Sequence, residues 1–327
     1  MAAWPAPPDS GQYARDHGPA RRRRVCKGGS VDGNHQPVDS GVERLHGKVS
    51  LAEGLKVRFW GVRGSISCPG AEYARYGGNT SCLEVTAGGR RLIFDAGTGI
   101  RTLGVELARQ APLDIYFTHT HLDHISGLTF FAPLFERRNS VRMWAGHFEA
   151  PYTLKKVVGH LMQAPLYPVS LDVFQASVEF REFTAGETLS CGTIGLRTAS
   201  LHHPNGATGY RIDYRDKSIC YITDTEHHEG QRDQTIVDLC RGADVMIYDS
   251  SYTDEEYARY RGWGHSTWQE GVRIADAAGV GTLAIFHHDP SHDDAFMDGV
   301  AREAAAGLDD VLKPVSRAIA GQGTLIE

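Results

Sequence analysis

The chain has 327 residues, 41% of them hydrophobic, and a formal net charge of −6. This balance is ordinary for a folded protein and gives no globally basic surface, so capture of long nucleic acid is not expected. Six cysteines without a CxxC pair predict reduced thiols rather than a disulfide framework. No apolar run of about 18 residues predicts a membrane helix, and no secretory leader is recognisable, so the expected location is cytoplasmic.

The composition changes near residue 55. Residues 1–54 are rich in proline, glycine, serine and arginine and show little apolar periodicity. Such a segment buries too little surface to fold alone, which predicts a disordered leader, and its arginine run at 21–24 is interpreted as solvated. The remaining residues, 55–327, are predicted to form one domain.

Beyond the leader, short β-rich runs alternate with helical stretches. Strands are predicted at 57–61, 82–97, 113–119, 141–146, 194–203, 208–226, 244–252 and 281–290. Two of these runs are hairpins that turn at Gly88-Gly89 and at Arg215-Asp216. Helices are predicted at 99–110, 124–137, 230–241, 267–278 and 293–307.

The fourth predicted helix has recognisable end signals. Ser266 with Gln269, or Thr267 with Glu270, can form a capping box at its start, and Gly279 suits its C-terminal cap. Adjacent hairpins combined with strand–helix units predict an α/β fold in which mixed sheets are covered by helices.

The stretch YFTHTHLDHISG at 116–127 continues from the predicted strand LDIYF. Side chains alternate along a strand, so His119, His121 and Asp123 are expected to point the same way as the chain leaves the sheet. Asp123 and His124 lie where a helix begins. Imidazole and carboxylate are good ligands for zinc and related divalent ions, and so many donors in one short loop predict two metal ions.

The sequence THTHLDH resembles the signature loop of the metallo-β-lactamase fold hydrolases, and the resemblance extends over about residues 56–310. It implies a four-layer αββα sandwich. The segment IFDAGTGI is similar to the turn whose aspartate, here Asp95, supports the metal site in that family. The segment YITDTE is similar to the strand whose aspartate, here Asp224, bridges both metals.

Two further ligands follow from the resemblance, each with a register alternative. SLHHPNGATGYRI looks like the segment with the third histidine of the first metal, assigned to His203 with His202 as the alternative. AIFHHDP looks like the strand end with the last ligand, assigned to His287 with His288 as the alternative, since neighbours on a strand face opposite ways. The implied set is His119, His121 and His203 for one ion, Asp123, His124 and His287 for the other, and Asp224 between them.

The segment GHST is similar to the histidine motif of the phosphodiesterase and transfer-RNA 3′-processing branch of the family, and His265 is the matching residue. A histidine beside the metals can stabilise charge on the reacting phosphoryl group or protonate the departing oxygen. Asp254, Glu255 and Glu226 are the candidates to orient it.

Two observations on the sequence favour a small substrate. The long inserted arm by which the transfer-RNA nuclease grips its substrate is not recognisable between residues 130 and 200, and the net charge is acidic. The segment 59–82 is similar to proteins described as cyclic-nucleotide-phosphodiesterase-like. Within it, Arg63, Arg75 and Asn79 can either reach a phosphate or serve the loop.

The sequence therefore predicts a metal-dependent hydrolase, a dinuclear zinc phosphodiesterase for small phosphodiesters such as cyclic nucleotides, with manganese or iron as other metals. A metal-bridging hydroxide is the expected nucleophile, and Asp123 and His265 are the expected catalytic residues. The expected partner is a small phosphodiester, without long nucleic acid or membrane, and the chain is compatible with a homodimer. The alternatives are a glyoxalase-II-like thioesterase or other ester hydrolase, and a non-catalytic metal-dependent nucleotide-binding module.

Overall fold

The structure, a computed structural model, describes residues 54–108, 112–306 and 316–326. The predicted leader lies outside the described residues, apart from its last residue, and the domain boundary near residue 55 stays a prediction. Within the described ranges, none of the helices combines the length and the apolar character needed to span a membrane.

Two seven-stranded sheets form the centre of the fold. The first contains β1 Leu55–Gly61, β2 Cys82–Ala87, β3 Arg90–Phe94, β4 Leu113–Phe117, β5 Ser140–Ala145, β6 Ser177–Glu182 and β14 Leu325–Ile326, in the order β14-β1-β2-β3-β4-β5-β6. The second contains β7 Thr188–Cys191, β8 Ile194–Leu201, β9 Ala207–Tyr214, β10 Lys217–Ile222, β11 Val245–Asp249, β12 Thr282–Phe286 and β13 Ser316–Ile319, in the order β13-β12-β11-β10-β9-β8-β7.

Seven α-helices of the described residues cover the sheets. They are α1 Ile100–Glu106, α2 Leu122–Ile125, α3 Leu154–Leu161, α4 Gln234–Cys240, α5 Asp254–Tyr260, α6 Trp268–Ala278 and α7 Asp294–Ala306. The predicted helices at 99–110, 230–241, 267–278 and 293–307 correspond to α1, α4, α6 and α7. Helices α3 and α5 were not predicted, and neither were strands β6 and β7.

The layering follows from strands that are apolar on both faces. In β10, Tyr221 packs in the core between the two sheets, whereas Cys220 and Ile222 pack under the helices on the outer face. In β4, Tyr116 faces the same central core and Ile115 faces the outer helices of the first sheet. A strand that is buried on both faces has a continuous run of apolar residues in its sequence. The αββα sandwich implied by the sequence is therefore confirmed.

Both predicted hairpins and the predicted ends of α6 are present. β2 and β3 are joined by Gly88-Gly89, whose φ angles are 55° and 75°, the left-handed region that glycine enters without steric cost. Thr267 caps α6 by accepting a hydrogen bond from the Glu270 amide at 3.0 Å, and Gly279 ends the helix with a left-handed φ of 67°. The Glu270 carboxylate accepts from Arg273 at 2.6 Å.

The predicted helix at 124–137 is wrong. The chain forms only α2 and then two 3₁₀ turns, Ser126–Phe130 and Ala132–Phe135. A Cβ on Gly127 would lie 2.1 Å from the carbonyl oxygen of Gly97, so the segment is drawn against the loop after β3. Pro133 lacks the amide that a continuous helix needs. Tertiary packing therefore overrides the helical periodicity here.

The parallel strands determine the edge of the sheets at which the candidate site residues lie. In the first sheet β3 pairs in parallel with β4, and in the second β10, β11 and β12 pair in parallel with one another. Parallel strands end at the same edge of a sheet, which is where α/β proteins place their sites. The loops that follow these strands carry the candidate residues.

Candidate metal centre

Four of the candidate side chains lie one or two residues beyond a strand end. His119 follows β4, His203 follows β8, Asp224 follows β10 and His287 follows β12. The loop after β4 continues directly into α2, which carries Asp123 and His124. Strand ends from both sheets thus converge at one rim of the sandwich, as the sequence led us to expect.

A first group of donors, here called the histidine cluster, consists of His119, His121 and His203. One nitrogen atom from each ring lies within 4.8 Å of the others. The closest pair is Nε2 of His203 and Nδ1 of His121, 3.1 Å apart. His119 and the side chain of His203 are buried, while His121 is partly exposed. The cluster therefore opens toward solvent on one side.

A second group, here called the carboxylate cluster, consists of Asp123, His124, Asp224 and His287. All four residues are buried, and their donor atoms lie within 4.8 Å of one another. Oδ2 of Asp123 is 3.3 Å from Nε2 of His124 and 3.3 Å from Nε2 of His287. This cluster contains both acidic residues of the predicted ligand set.

Asp224 lies between the clusters and faces each with a different oxygen. Its Oδ1 is 3.7 Å from Nε2 of His119 and 3.7 Å from Nε2 of His203. Its Oδ2 is 3.2 Å from Nε2 of His124 and 3.4 Å from Nε2 of His287. A carboxylate in this position can hold two cations at once.

Unpartnered polar atoms test whether the donors fit metal ions. Nε2 of His119 and Nε2 of His124 are buried without a hydrogen-bond partner. A buried polar atom left unpaired is costly, and a metal ion at each cluster would satisfy both. The donor chemistry of imidazole and carboxylate is that of divalent ions of the zinc type. The residues therefore fit two divalent ions.

For His124, His203 and His287, the opposite ring nitrogen is held by the protein. Nδ1 of His124 donates to Oδ2 of Asp95 at 2.9 Å, and Nδ1 of His203 donates to the carbonyl of Gly264 at 2.7 Å. Nδ1 of His287 lies 3.0 Å from Oγ of Ser251. Such partners fix the orientation and tautomer of ligating histidines. Each of these three rings therefore points its other nitrogen at its cluster.

Asp95 also connects the two sheets. Its Oδ2 accepts a hydrogen bond of 2.9 Å from the hydroxyl of Tyr221 on β10, and its Oδ1 accepts one of 2.8 Å from the amide of Thr118 after β4. The aspartate that supports His124 from one sheet is thus tied to the other sheet. This arrangement agrees with the supporting role that the resemblance implied for Asp95.

The clusters differ in charge. Burial lowers the pKa of His119, and it also lowers the pKa values of His121 and His203, so these imidazoles are neutral. Burial alone would raise the pKa of Asp123, but the nearby His124 and His287 rings hold it well below its usual range. In the same carboxylate cluster, burial alone would lower the pKa of His124, but the neighbouring carboxylates raise it well above its usual range, so this ring would give up its proton on binding an ion. Neutral imidazoles and ionised carboxylates are the protonation states that metal binding needs.

Three of the site residues have a strained backbone. Asp95, Asp224 and His287 have φ angles of 60°, 57° and 63°, in the left-handed region that residues other than glycine rarely adopt. Such conformations cost on the order of 1–3 kcal/mol each and collect at functional sites. Gly64 leaves room for the last of these residues, His287, because a Cβ at position 64 would lie 2.4 Å from the His287 ring.

His265 stands beside both clusters. Its ring centroid is 4.9 Å from that of His287 and 5.3 Å from that of His203. Nδ1 of His265 donates to Oδ2 of Asp249 at 2.9 Å, and the side chain is 12% exposed. Burial lowers the pKa of His265, but the carboxylates of Asp249 and Asp224 outweigh it and raise the pKa to about 9.

The predicted orienting partners of His265 are wrong. Asp254 accepts from the Thr267 hydroxyl at 2.7 Å, Glu226 accepts from the Gly264 amide at 2.8 Å, and Glu255 is exposed. Asp249 takes that place because it ends β11 beside β10 and β12. Its position directly after the apolar run VMIY is the same signal that marked the other site residues, so the sequence could have revealed it.

Asp249 and Ser251 were both missed by sequence reasoning. Oδ1 of Asp249 accepts from the Ser251 hydroxyl at 2.8 Å, and that hydroxyl contacts the His287 ring. Asp224, Asp249, His265 and His287 also place donor atoms within 4.8 Å of one another. Because the oxygens of Asp249 already accept these hydrogen bonds, we interpret Asp249 as the residue that positions His265 and Ser251.

The register alternatives lie away from the clusters. His202 is exposed, and its ring centroid is 4.8 Å from that of His228. His288 is buried and donates through Nε2 to the carbonyl of Ala320 at 2.8 Å. The structure thus brings His203 and His287, rather than their neighbours, to the other donors.

The three polar residues of segment 59–82 have partners within the fold. Arg63 is fully buried and donates to the carbonyls of Gly77 and His292. Arg75 donates to Asp298 at 2.6 Å, and the Asn79 amide donates to Gln322 at 3.1 Å. The polar atoms of all three residues therefore serve the loop rather than the metal clusters.

Residues 90–288 match the family described as the beta-lactamase superfamily domain. This match covers more than half of the chain, so the chain belongs to the β-lactamase superfamily. The fold and the donor clusters define a metallo-hydrolase within it, and divalent metal ions are the cofactor that this family implies. The expected enzyme class is confirmed.

One protein with a similar sequence and two with a similar structure are compared with this chain. Ribonuclease Z of Gemmatimonas aurantiaca is 27% identical over 283 residues, covering 71% of this chain and 85% of that protein. The metallo-β-lactamase fold protein YhfI from Bacillus subtilis superposes with a TM-score of 0.63 at 17% identity, covering 83% of this chain and 98% of that one. The short form of human tRNase Z superposes with a TM-score of 0.57 at 17% identity, over 83% and 98% of the two chains.

The relatives named ribonuclease Z contradict one prediction. A small phosphodiester without long nucleic acid was expected as the partner, but a ribonuclease acts on RNA. The prediction relied on the net charge of −6 and on the lack of a recognisable inserted arm between residues 130 and 200, and neither describes the local surface at a substrate site. An acidic chain can therefore still act on RNA.

Proposed function

We propose that this chain is a phosphodiesterase with a dinuclear metal centre, zinc being the metal, and that RNA is among its substrates. The observation that carries the proposal is the position of Asp224, whose two oxygens face two separate clusters of donors. Two adjacent ions suit the in-line displacement of phosphodiester hydrolysis, in which the attacking and leaving oxygens both need stabilisation.

The histidine cluster would hold one ion and the carboxylate cluster the other, with Asp224 shared. Ions bound there would supply Lewis-acid polarisation of the phosphoryl oxygens and lower the pKa of a water molecule. In this proposal Asp123 is both a ligand and a catalytic residue. Its Oδ2 accepts a 2.8 Å hydrogen bond from the Ser65 amide, which fixes the carboxylate so that it can orient the attacking water.

His265 is the second proposed catalytic residue. Asp249 holds Nδ1 of the ring, which leaves Nε2 as the atom that can donate a proton to the departing oxygen. A partly exposed imidazole between the two clusters and the solvent is in the right place for that task. Because the buried Asp249 carboxylate already holds the ring in place, the ring does not have to reorient when the proton is transferred.

The relatives named ribonuclease Z support an RNA phosphodiester as the substrate class. The finer prediction of a cyclic nucleotide is tested in the same experiment. Metal-loaded protein is assayed on bis-p-nitrophenyl phosphate, short RNA, cyclic mononucleotides and a thioester, with and without chelator. Chelator-sensitive hydrolysis of phosphodiesters that include RNA is expected, with about two metal ions per chain.

Three results would contradict the proposal. Protein that carries two ions per chain and cleaves no phosphodiester is not a phosphodiesterase. Thioester hydrolysis in preference to every phosphodiester would identify the chain as an ester hydrolase instead. Cleavage that survives complete removal of metal would exclude the dinuclear mechanism.

A further inference from the structure

A cavity of about 680 Å³ lies beside the histidine cluster. Its wall combines Thr120 and His121 from the loop after β4 with His147, Phe148 and Tyr152 from the segment after β5. We infer that this cavity binds the nucleoside attached to the phosphodiester that is cleaved, an inference that rests on the proposed function and names the substrate group that the site selects.

The cavity is continuous with the metal centre through one residue. His121 belongs to the histidine cluster and also lines the cavity. Its neighbour Thr120 contacts the far wall, since its hydroxyl lies 3.3 Å from Nε2 of His147. A phosphodiester at the ions therefore has one of its two substituents directed into this space.

The charge of the wall excludes a second phosphate as the occupant. Among the described residues that line the cavity, none is a lysine or an arginine, and Glu149 is acidic. Phosphate sites need cationic side chains or a row of free amides. An uncharged group fits this wall better.

Two aromatic rings give the wall its flat apolar surface. Phe148 is partly buried, with its ring centroid 4.0 Å from that of His147, and Tyr152 is 62% exposed. Nucleobases stack on such rings without regard to sequence. Ser200 and Asn205 also line the cavity and add a hydroxyl and an amide. These groups can hydrogen-bond the edge of a base.

The volume limits the occupant to about one nucleoside. Pockets of roughly 300–1,000 Å³ hold ligands of drug size, and about 680 Å³ falls within that range. A longer RNA would leave the cavity after its first nucleoside. The substrate is therefore expected to be recognised by the base next to the cleaved bond.

Two chromogenic substrates with the same leaving group test the inference. Bis-p-nitrophenyl phosphate has no nucleoside, whereas thymidine 5′-p-nitrophenyl phosphate has one. In the metal-loaded protein, the ratio of kcat/KM for the thymidine ester to kcat/KM for the bis-ester is measured. Tyr152→Ala and Phe148→Ala are each expected to lower this ratio about 10-fold, the effect of losing one stacking ring.

Phe135→Ala is the matched control, because it removes an aromatic ring that does not line the cavity. It is expected to leave the ratio unchanged. Tyr152 is largely exposed, so its replacement tests the cavity even if Phe148→Ala fails to fold. A ratio that stays at the wild-type value in Tyr152→Ala overturns the inference.

Binding of thymidine alone separates this inference from the proposed function. If neither ester is hydrolysed, the proposed function fails, and the metal-loaded protein is titrated with thymidine by calorimetry. Binding to the wild type that weakens in Tyr152→Ala supports the nucleoside cavity. The absence of binding, or equal binding in both proteins, overturns it.

Discussion

The two donor clusters differ in charge and in exposure. The histidine cluster offers neutral imidazoles and opens toward solvent, and it contacts one carboxylate oxygen, Oδ1 of Asp224. The carboxylate cluster is wholly buried and contains both Asp123 and Asp224. A buried divalent ion needs compensating negative charge. The carboxylate cluster is therefore expected to hold its ion more tightly, and the histidine cluster to exchange its ion first.

The largest effect is expected where the clusters meet. Asp224→Ala removes the carboxylate whose two oxygens face the two clusters, so both ions should be lost from the purified protein. Phosphodiesterase activity should fall by more than about 100-fold, the upper range for loss of a residue that merely orients a ligand. Metal content by mass spectrometry together with bis-p-nitrophenyl phosphate hydrolysis checks this. Loss of one ion only would show that Asp224 does not bridge.

A neighbouring pair of histidines tests the histidine cluster alone. His203→Ala should remove one ion per chain and lower activity about 100-fold, while the ion of the carboxylate cluster stays bound. His202→Ala is the matched control, since His202 is exposed and outside the clusters. It should keep both ions and full activity. If His202→Ala loses an ion and His203→Ala keeps both, His202 is the ligand.

Replacement of His265 should slow the chemical step without releasing either metal ion. Loss of a general acid lowers turnover by about 100-fold or more, so His265→Ala should reduce kcat by that factor and keep two ions per chain. Asp249→Asn should also reduce kcat, but by a smaller factor, because it disturbs the orientation of the His265 ring without removing the ring. Loss of an ion in His265→Ala would instead make His265 a ligand.

A glycine substitution gives the smallest expected effect. Gly64→Ala places a methyl group 2.4 Å from the His287 ring, so this ring must shift within the carboxylate cluster. Activity is expected to fall about 10-fold, the lower range for disturbing the support of a ligand. Gly299→Ala on α7 is the control, because the nearest atom to its new Cβ is 3.9 Å away. Equal activity in both variants would show that Gly64 does not position His287.

The sequence predicted the site better than it predicted the elements around it. HxHxDH and the strand-end residues were visible because ligands at parallel strand ends follow apolar runs, a purely local signal. The segment 126–135 was mispredicted because its path depends on contact with the loop after β3. Asp249 follows the apolar run VMIY and carries the same local signal, but its role and that of Ser251 arise from hydrogen bonds to His265 and His287 across the fold.

The left-handed backbone at Asp95, Asp224 and His287 could not be predicted either. None of the three positions carries glycine, so the sequence gives no sign of a positive φ there. These conformations exist because the surrounding hydrogen bonds impose them, as the Tyr221 hydroxyl does for the Asp95 side chain. Local backbone propensity therefore does not predict the conformation of these three site residues.

The hydrogen bond between Tyr221 and Asp95 and the contact between Asp123 and His287 join segments that are 126 and 164 residues apart. Contacts so distant in sequence form slowly, because the intervening chain must first be ordered. A centre built on them is completed only after both sheets have formed and docked. Ions that bind only the folded chain add their binding free energy to its stability. Metal supply would then set the lifetime of the folded protein in the cell as well as its activity.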